Sequence, residues 1–378
     1  MAGNGKDTRL AVLQLSGGND ALQTIVPYTN GLYYDNRPHV GIPQDQVLAI
    51  NDELGFNPTL APIKELYDQG KVAVILGAGY PNPSRSHFRS MDIWHTCAPE
   101  LMGFTGWLGR AINDMDPKHE NVLTGVNFGR GLPRALALSG VPVASVGDLA
   151  TYGVLTSVSG EDQRAQALDV FSRMYSPAVG TGVVMEYLSA MGTDALKGAD
   201  ILKTAPEKYS SSVEYAGDQV SQYMKDMVQV LTGDFDTRVV YTTAPFNSFD
   251  THANMLPAHA TLWQNTSRAI VDFFDDLKEH DASENTILLV FSEFGRRVRD
   301  NGTGTDHGAA GMAFVIGDRV KGGVYGEHPS LAPGDLDDGD MHYNHDFRGS
   351  YGTITEKWLG LDPTDICHGN FEQFDFIK

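Results

Sequence analysis

Short apolar runs alternate with polar, glycine-rich stretches through the first and last thirds of the chain. Residues 10–15, Leu-Ala-Val-Leu-Gln-Leu, have the pattern of a buried strand and end in the turn Ser16-Gly17-Gly18-Asn19-Asp20. Over 59–69 the apolar positions Leu60, Ile63, Leu66 and Tyr67 recur at helical spacing, with Gly70 where a helix C′ residue is expected. A second buried strand follows at 72–76. Strand, helix and strand in this order predict a parallel β-α-β crossover. The last third repeats the alternation. It predicts a β-branched strand at 238–243, an amphipathic helix at 262–277, strands at 286–291 and 311–316, and a final helix over 347–359.

The middle differs. Residues 122–146 read as short strands broken by Gly and Pro, and 160–232 as mostly helical. Ala167, Leu168, Val170, Phe171 and Met174 share one helical face, and Tyr223, Met224, Met227, Val228 and Leu231 share another. This predicts a helical insertion or cover, its Met-rich stripe packed as core. No internal repeat or linker interrupts the pattern, so one domain is expected over 1–378. The fold expected is α/β: a three-layer α/β/α sandwich around a mostly parallel sheet.

Composition narrows the function. The formal charge of −20 excludes a nucleic-acid surface, which needs Lys and Arg to displace counterions, and argues against an anionic membrane. An acidic protein can still bind anions where metal cations supply the positive field. Cys97 and Cys367 are too few for a disulfide scaffold or a thiolate zinc site, and free core thiols are expected. No apolar stretch reaches the roughly 20 residues of a membrane span. The first six residues have no apolar core, so no signal peptide is expected within the sequence.

The chemistry gathers around the strands. The first is followed by Asp20, the second by Pro83-Ser84-Arg85-Ser86-His87, the third by Asp250-Thr251-His252, and the fourth by Ser292-Glu293-Phe294-Gly295-Arg296. Thr305-Asp306-His307-Gly308 precedes the strand at 311–316. Ligands of open α/β sheets bind beyond the carboxyl ends of the strands. Each cluster has a plain structural alternative. Asp20 and Asp250 suit turns, Ser84 and Ser86 suit helix caps, and Arg296 suits a salt bridge to Glu293. Five such clusters together favour a site. Asp, Glu and His in mixture suit Zn, Mn or Ca, and such ions lower the pKa of a bound water or serine hydroxyl. Ser84 or Ser86, at a helix start, is the candidate nucleophile, and Arg85 the candidate partner of an anionic oxygen. Asp92, Trp94 and His95, further along the same helix, read as a packing face, and Asp346, beside His342 and His345, as a cap.

These motifs, with Gly106-Trp107-Leu108-Gly109-Arg110, make a set that resembles the bacterial family known as domain of unknown function 1501 over about residues 10–362. The resemblance implies kinship with alkaline phosphatases and sulfatases, and export by the twin-arginine route to a periplasmic or extracellular location. It implies that Asp20 matches the first-strand metal aspartate, that Asp250 and His252 match a metal Asp/His pair, and that Glu293 stands where an Asp is usual. His307 matches a late metal histidine, with Asp306 beside it. Pro81 occupies the slot that a sulfatase gives to its nucleophile, which excludes formylglycine chemistry there and leaves Ser86, then Ser84. The expected function is metal-dependent hydrolysis of phosphate or sulfate esters, using one or two divalent ions on a small-molecule or glycan anionic ester. The alternatives are a non-catalytic anion- or glycan-binding relative and a metal-free serine esterase, the latter without a Gly-x-Ser-x-Gly elbow.

Overall fold

The computed structural model describes residues 7–149 and 201–378, with isolated positions between 163 and 198. The apolar runs become strands of one nine-stranded sheet. They are β1 (Arg9–Gln14), β2 (Val72–Gly79), β3 (Gly125–Phe128), β4 (Ala144–Val146), β5 (Val239–Thr243), β6 (Thr286–Phe291), β7 (Gly311–Ile316), β8 (Gly323–Tyr325) and β9 (His345–Asp346). Across the sheet the order is β8-β2-β7-β6-β1-β5-β3-β4, and β9 also pairs with β2. All these pairings are parallel except those of β7 with β2 and β6. The expected crossover from β1 to β2 does join two strands of the same direction, but β6 and β7 lie between them.

Helices cover both faces, which is why the central strands read as unbroken apolar runs. The larger ones are α1 (Ala61–Asp68), α2 (His87–Thr96), α3 (Trp107–Met115), α4 (Gln219–Thr232), α5 (Met255–Glu279) and α6 (Phe347–Thr353). Leu13, Val74, Val240 and Phe314 pack with Ile63 of α1, Met227 of α4 and Trp263 of α5. Their strand neighbours Val12, Ile75, Tyr241 and Val315 face the other way, toward Trp94 of α2, Trp107 of α3 and Tyr351 of α6. The result is a three-layer α/β/α sandwich with a mostly parallel sheet. Stacked rings lock the second layer, with centroids 4.2 Å apart for Trp94 and Phe347 and 4.1 Å for Trp107 and Tyr351.

Local detail departs from the sequence pattern in places. The helix expected at 262–277 starts earlier, at Met255, because Pro257 falls in its first turn, where a missing N–H is harmless. The last helix passes into a π turn at Ile354–Trp358. Of the helical middle third, α4 is described and packs against α5, whereas Leu168, Phe171 and Met174 lie outside the described residues. Both cysteines are buried and free. Among the described residues no helix is long and apolar enough to cross a membrane.

Candidate metal centre

The loops after β1, β2, β5 and β6 leave the same edge of the sheet because those strands run the same way. The segment before β7 reaches that edge too, since β7 is antiparallel and Ala313, near its start, pairs with Phe291 at the end of β6. Residues 295–297 and 306–309 then zip together. Gly295 N–H donates to Ala309 O (3.0 Å), Gly308 N–H to Gly295 O (2.9 Å) and Arg297 N–H to Asp306 O (3.0 Å). This ladder sets His307 opposite Arg296. On the other side, Gly17 has a φ of +119°, and a Cβ there would stand 2.4 Å from Asp250 N, so only glycine lets the β1 loop press against the loop that carries Asp250.

Three imidazoles meet one carboxylate in this space. His307 Nε2 and His252 Nε2 are each 3.0 Å from Asp250 Oδ1 and 2.9 Å from one another. His87 Nε2 lies 3.4 Å from Asp250 Oδ2. Each ring has an acceptor on its other nitrogen. His87 Nδ1 is 2.8 Å from Glu293 Oε1, His252 Nδ1 is 3.0 Å from Asp306 Oδ1, and His307 Nδ1 is 2.8 Å from the Arg85 carbonyl. An acceptor at Nδ1 assigns the hydrogen there and leaves Nε2 as a bare lone pair. His87, Asp250 and His307 can each turn one donor atom toward a shared space, all within 4.8 Å of one another, and His252 lies beside Asp250 and His307.

Such an arrangement demands a positive charge at its centre. His87 Nε2 is buried without a hydrogen-bond partner. Burial lowers the His307 pKa, against the pull of Asp250, so this ring favours its neutral form. The hydrogen bond that His87 donates to Glu293 raises the His87 pKa. Burial works against the Asp250 carboxylate, yet the bond from Arg296 and the neighbouring imidazoles hold its pKa down to about 2. Asp250 lies 3.0 Å from His307 Nε2 and 3.4 Å from His87 Nε2, close to the roughly 3.3 Å expected between ligands of a tetrahedral zinc ion with bonds of about 2.0 Å. Each histidine already has the outer hydrogen bond that metal-bound histidines require. The residues fit a divalent ion.

The other residues singled out in the sequence lie around this point in different roles. Glu293 is fully buried, and its oxygens are taken by His87, the Gly17 N–H (2.9 Å) and the Ser292 hydroxyl (2.9 Å). Asp306 serves His252. Arg296 is also fully buried, but its ionic partner is Asp250 (2.7 Å) rather than Glu293, and it further donates to the carbonyls of Gly17, Gly18, Phe249 and Thr305. Asp20 is committed elsewhere: Oδ2 meets Arg37 (2.8 Å) and the Thr305 hydroxyl (2.8 Å), while Oδ1 caps the turn at Gln23 N–H (3.0 Å). Burial would raise its pKa, but Arg37 and Thr305 keep it below the usual carboxylate range. Arg85 turns its guanidinium to Asp340 (2.7 Å) and Asp338 (3.2 Å), and only its carbonyl reaches the centre. The Ser84 hydroxyl accepts from Ser86 N–H (3.2 Å). Ser86 is exposed at the N-cap of α2 and makes no capping bond. His87, the first residue of α2, was not picked out as a ligand from the sequence. The available signal was its place after a strand-end Ser-Arg-Ser segment.

Comparison with solved structures gives distant likenesses. Ps i-CgsB in complex with k-i-k-neocarrahexaose is 12% identical, with 94% of this chain and 77% of that chain covered and a TM-score of 0.38. A protein in the alkaline phosphatase superfamily from Vibrio parahaemolyticus is 10% identical, with 96% and 69% covered and a TM-score of 0.40. A mutant of TAB5 alkaline phosphatase with Mg bound in its M3 site is 11% identical, with 84% and 94% covered and a TM-score of 0.37. No curated protein matches the chain. A family model described as a protein of unknown function, DUF1501, matches residues 161–371.

Proposed function

The chain belongs to the DUF1501 family, and from its site geometry we propose that it is a metal-dependent hydrolase of phosphate or sulfate esters. The observation that carries this reading is the convergence of His87, His252 and His307 through Nε2 on Asp250, each ring held by an acceptor at Nδ1. His87, Asp250 and His307 would hold one divalent ion, with His252 beside them as a fourth donor. An imidazole-rich set suits zinc or manganese better than calcium, which prefers oxygen ligands throughout. Bound there, the ion would supply Lewis acidity to a phosphoryl or sulfuryl oxygen. A second ion finds few ligands, because Arg37 holds Asp20 and the Arg296 guanidinium stands against Asp250 in its place.

The protein's own groups divide the remaining work. Glu293 and Asp306 orient His87 and His252. Arg296 ties Asp250 to the β1 loop. The Ser86 hydroxyl, exposed and beside His87 at the positive end of a ten-residue helix, is the candidate nucleophile. The substrate in this reading is a small-molecule or glycan anionic ester, met in a periplasmic or extracellular setting. A second reading, a non-catalytic anion-binding relative, is favoured by the ligand count, since three histidines and an aspartate can fill a tetrahedral ion and leave no open position.

Metal content per chain after purification without chelator, followed by hydrolysis assays on phosphate and sulfate monoesters with and without chelator, tests both. About one ion per chain with chelator-sensitive hydrolysis supports the hydrolase. An ion without any turnover supports the binding relative. A chain that takes up no zinc or manganese on reloading sinks the centre itself.

A further inference from the structure

We infer that the cavity at the ends of β1, β3 and β5 is a recognition subsite for an apolar, oxygen-bearing organic group on the ester, read by the side-chain amide of Gln14. This rests on the hydrolase reading above, and it concerns what the ester carries. The cavity holds about 450 Å³, enough for a substituted ring. Its walls are mainly apolar, with Met91, Phe128, Leu132 and Phe246 among them. Phe246 is 81% exposed and Leu132 46%, so two large apolar side chains stand open to water at the wall of a cavity.

The cavity and the candidate metal centre share two elements. Met91 lies one turn beyond His87 on α2, and side chains four residues apart on a helix are roughly 6 Å apart on one face. Ser16, also in the wall, precedes Gly17, whose N–H holds Glu293, and its hydroxyl accepts from Asn247 N–H (3.1 Å) in the loop leading to Asp250. An ester with its anionic group at the histidines would therefore direct its organic part here.

Gln14 supplies the polar reading. Its Oε1 accepts from the Tyr241 hydroxyl and lies 2.9 Å from His95 Nε2, so two groups pin the amide from below. Burial lowers the His95 pKa to about 4, which keeps the ring neutral with a hydrogen to donate. The amide orientation then turns Nε2 toward the cavity, where its partner is the thioether of Met91, a weak acceptor. Gln14 is 3% exposed, and a buried donor whose partner among the described residues is a sulfur gains from a ligand oxygen.

The test compares binding of methylphosphonate and (4-methoxyphenyl)phosphonate to the zinc-loaded chain by calorimetry. The aryl probe is expected to bind roughly tenfold or more tightly, from ring burial alone. Phe246→Asp and Leu132→Asp, both at exposed positions, should abolish that advantage and leave methylphosphonate binding unchanged. Gln14→Leu should reduce the aryl probe's affinity about fivefold. Equal binding of the two probes, or an advantage that survives both surface variants, overturns the subsite while the metal centre stands. Failure of both probes to bind the zinc-loaded chain overturns the subsite together with the hydrolase reading.

Discussion

His252 and His307 face one another with their Nε2 atoms 2.9 Å apart, while the Nδ1 of one is held by Asp306 and that of the other by the Arg85 carbonyl. Two bare imidazole lone pairs repel at this distance unless a cation or a proton lies between them. Asp250 Oδ1, 3.0 Å from both, adds a negative charge on the same side. Arg296 balances Asp250 from the other side at 2.7 Å, so the two rings are the part of the site that a bound cation would stabilise.

Replacing His87, His252 or His307 singly by Ala should lower zinc or manganese content below half an ion per chain, with the far-UV circular dichroism unchanged. Loss of one of four ligands is expected to weaken binding by at least a hundredfold. Full metal occupancy in all three variants would refute the centre.

Asp20 separates structure from metal binding. It and Arg37 are both fully buried, and breaking such a pair leaves an uncompensated charge, at a cost of about 3–5 kcal/mol. Asp20→Ala should lower the denaturant midpoint accordingly while retaining metal wherever the chain remains folded. A folded Asp20→Ala protein without metal would reassign Asp20 to the centre.

Glu293→Gln keeps the shape of the side chain and removes its charge. The bond that His87 donates to Glu293 raises the His87 pKa, so in the metal-free variant the His87 titration followed by NMR should move down. Metal affinity should fall by about 10- to 100-fold, the usual effect of losing an outer hydrogen bond. An unmoved titration would contradict the Nδ1 contact.

Stability should fall in mild acid. Burial lowers the pKa of both His95 and His259 to about 4 in the fold, against 6.5 when unperturbed. Between these values the unfolded chain binds protons that the native chain does not, so stability is full above pH 6.5 and declines as pH drops toward 4. Each histidine contributes a slope of about 1.4 kcal/mol per pH unit. Thermal melts across this window should show the decline, and a flat profile would contradict the neutral buried rings.

Ser86→Ala should abolish ester hydrolysis with metal retained, whereas Arg85→Ala should leave metal content intact, because the Arg85 carbonyl and not its guanidinium holds His307. The Arg85 pair with the exposed Asp338 is worth at most about 1 kcal/mol, whereas Asp340 is buried and keeps a second partner in Arg297. Full turnover in Ser86→Ala would remove that hydroxyl from the mechanism.

The sequence by itself determined the layers and the edge of the sheet at which chemistry gathers. Apolar runs of buried strands, helical spacing at Ile63 and Leu66, and polar clusters after each run are local properties, and local patterns survive folding where burial enforces them. It also marked Asp250, His252 and His307. Only the tertiary structure decided what each polar group faces. Strand periodicity carries no direction, so the reversal of β7, which delivers His307 to the same edge, was not legible. Asp20 and Arg85 looked like site groups because their partners, Arg37 in one case and Asp338 with Asp340 in the other, are brought to them by the fold. His87 looked like a helix start, and becomes a candidate ligand because the loop after β6 delivers the buried Glu293 to its Nδ1. A carboxylate or an imidazole acquires its role from the groups that occupy its remaining hydrogen-bonding positions, and those contacts are long-range.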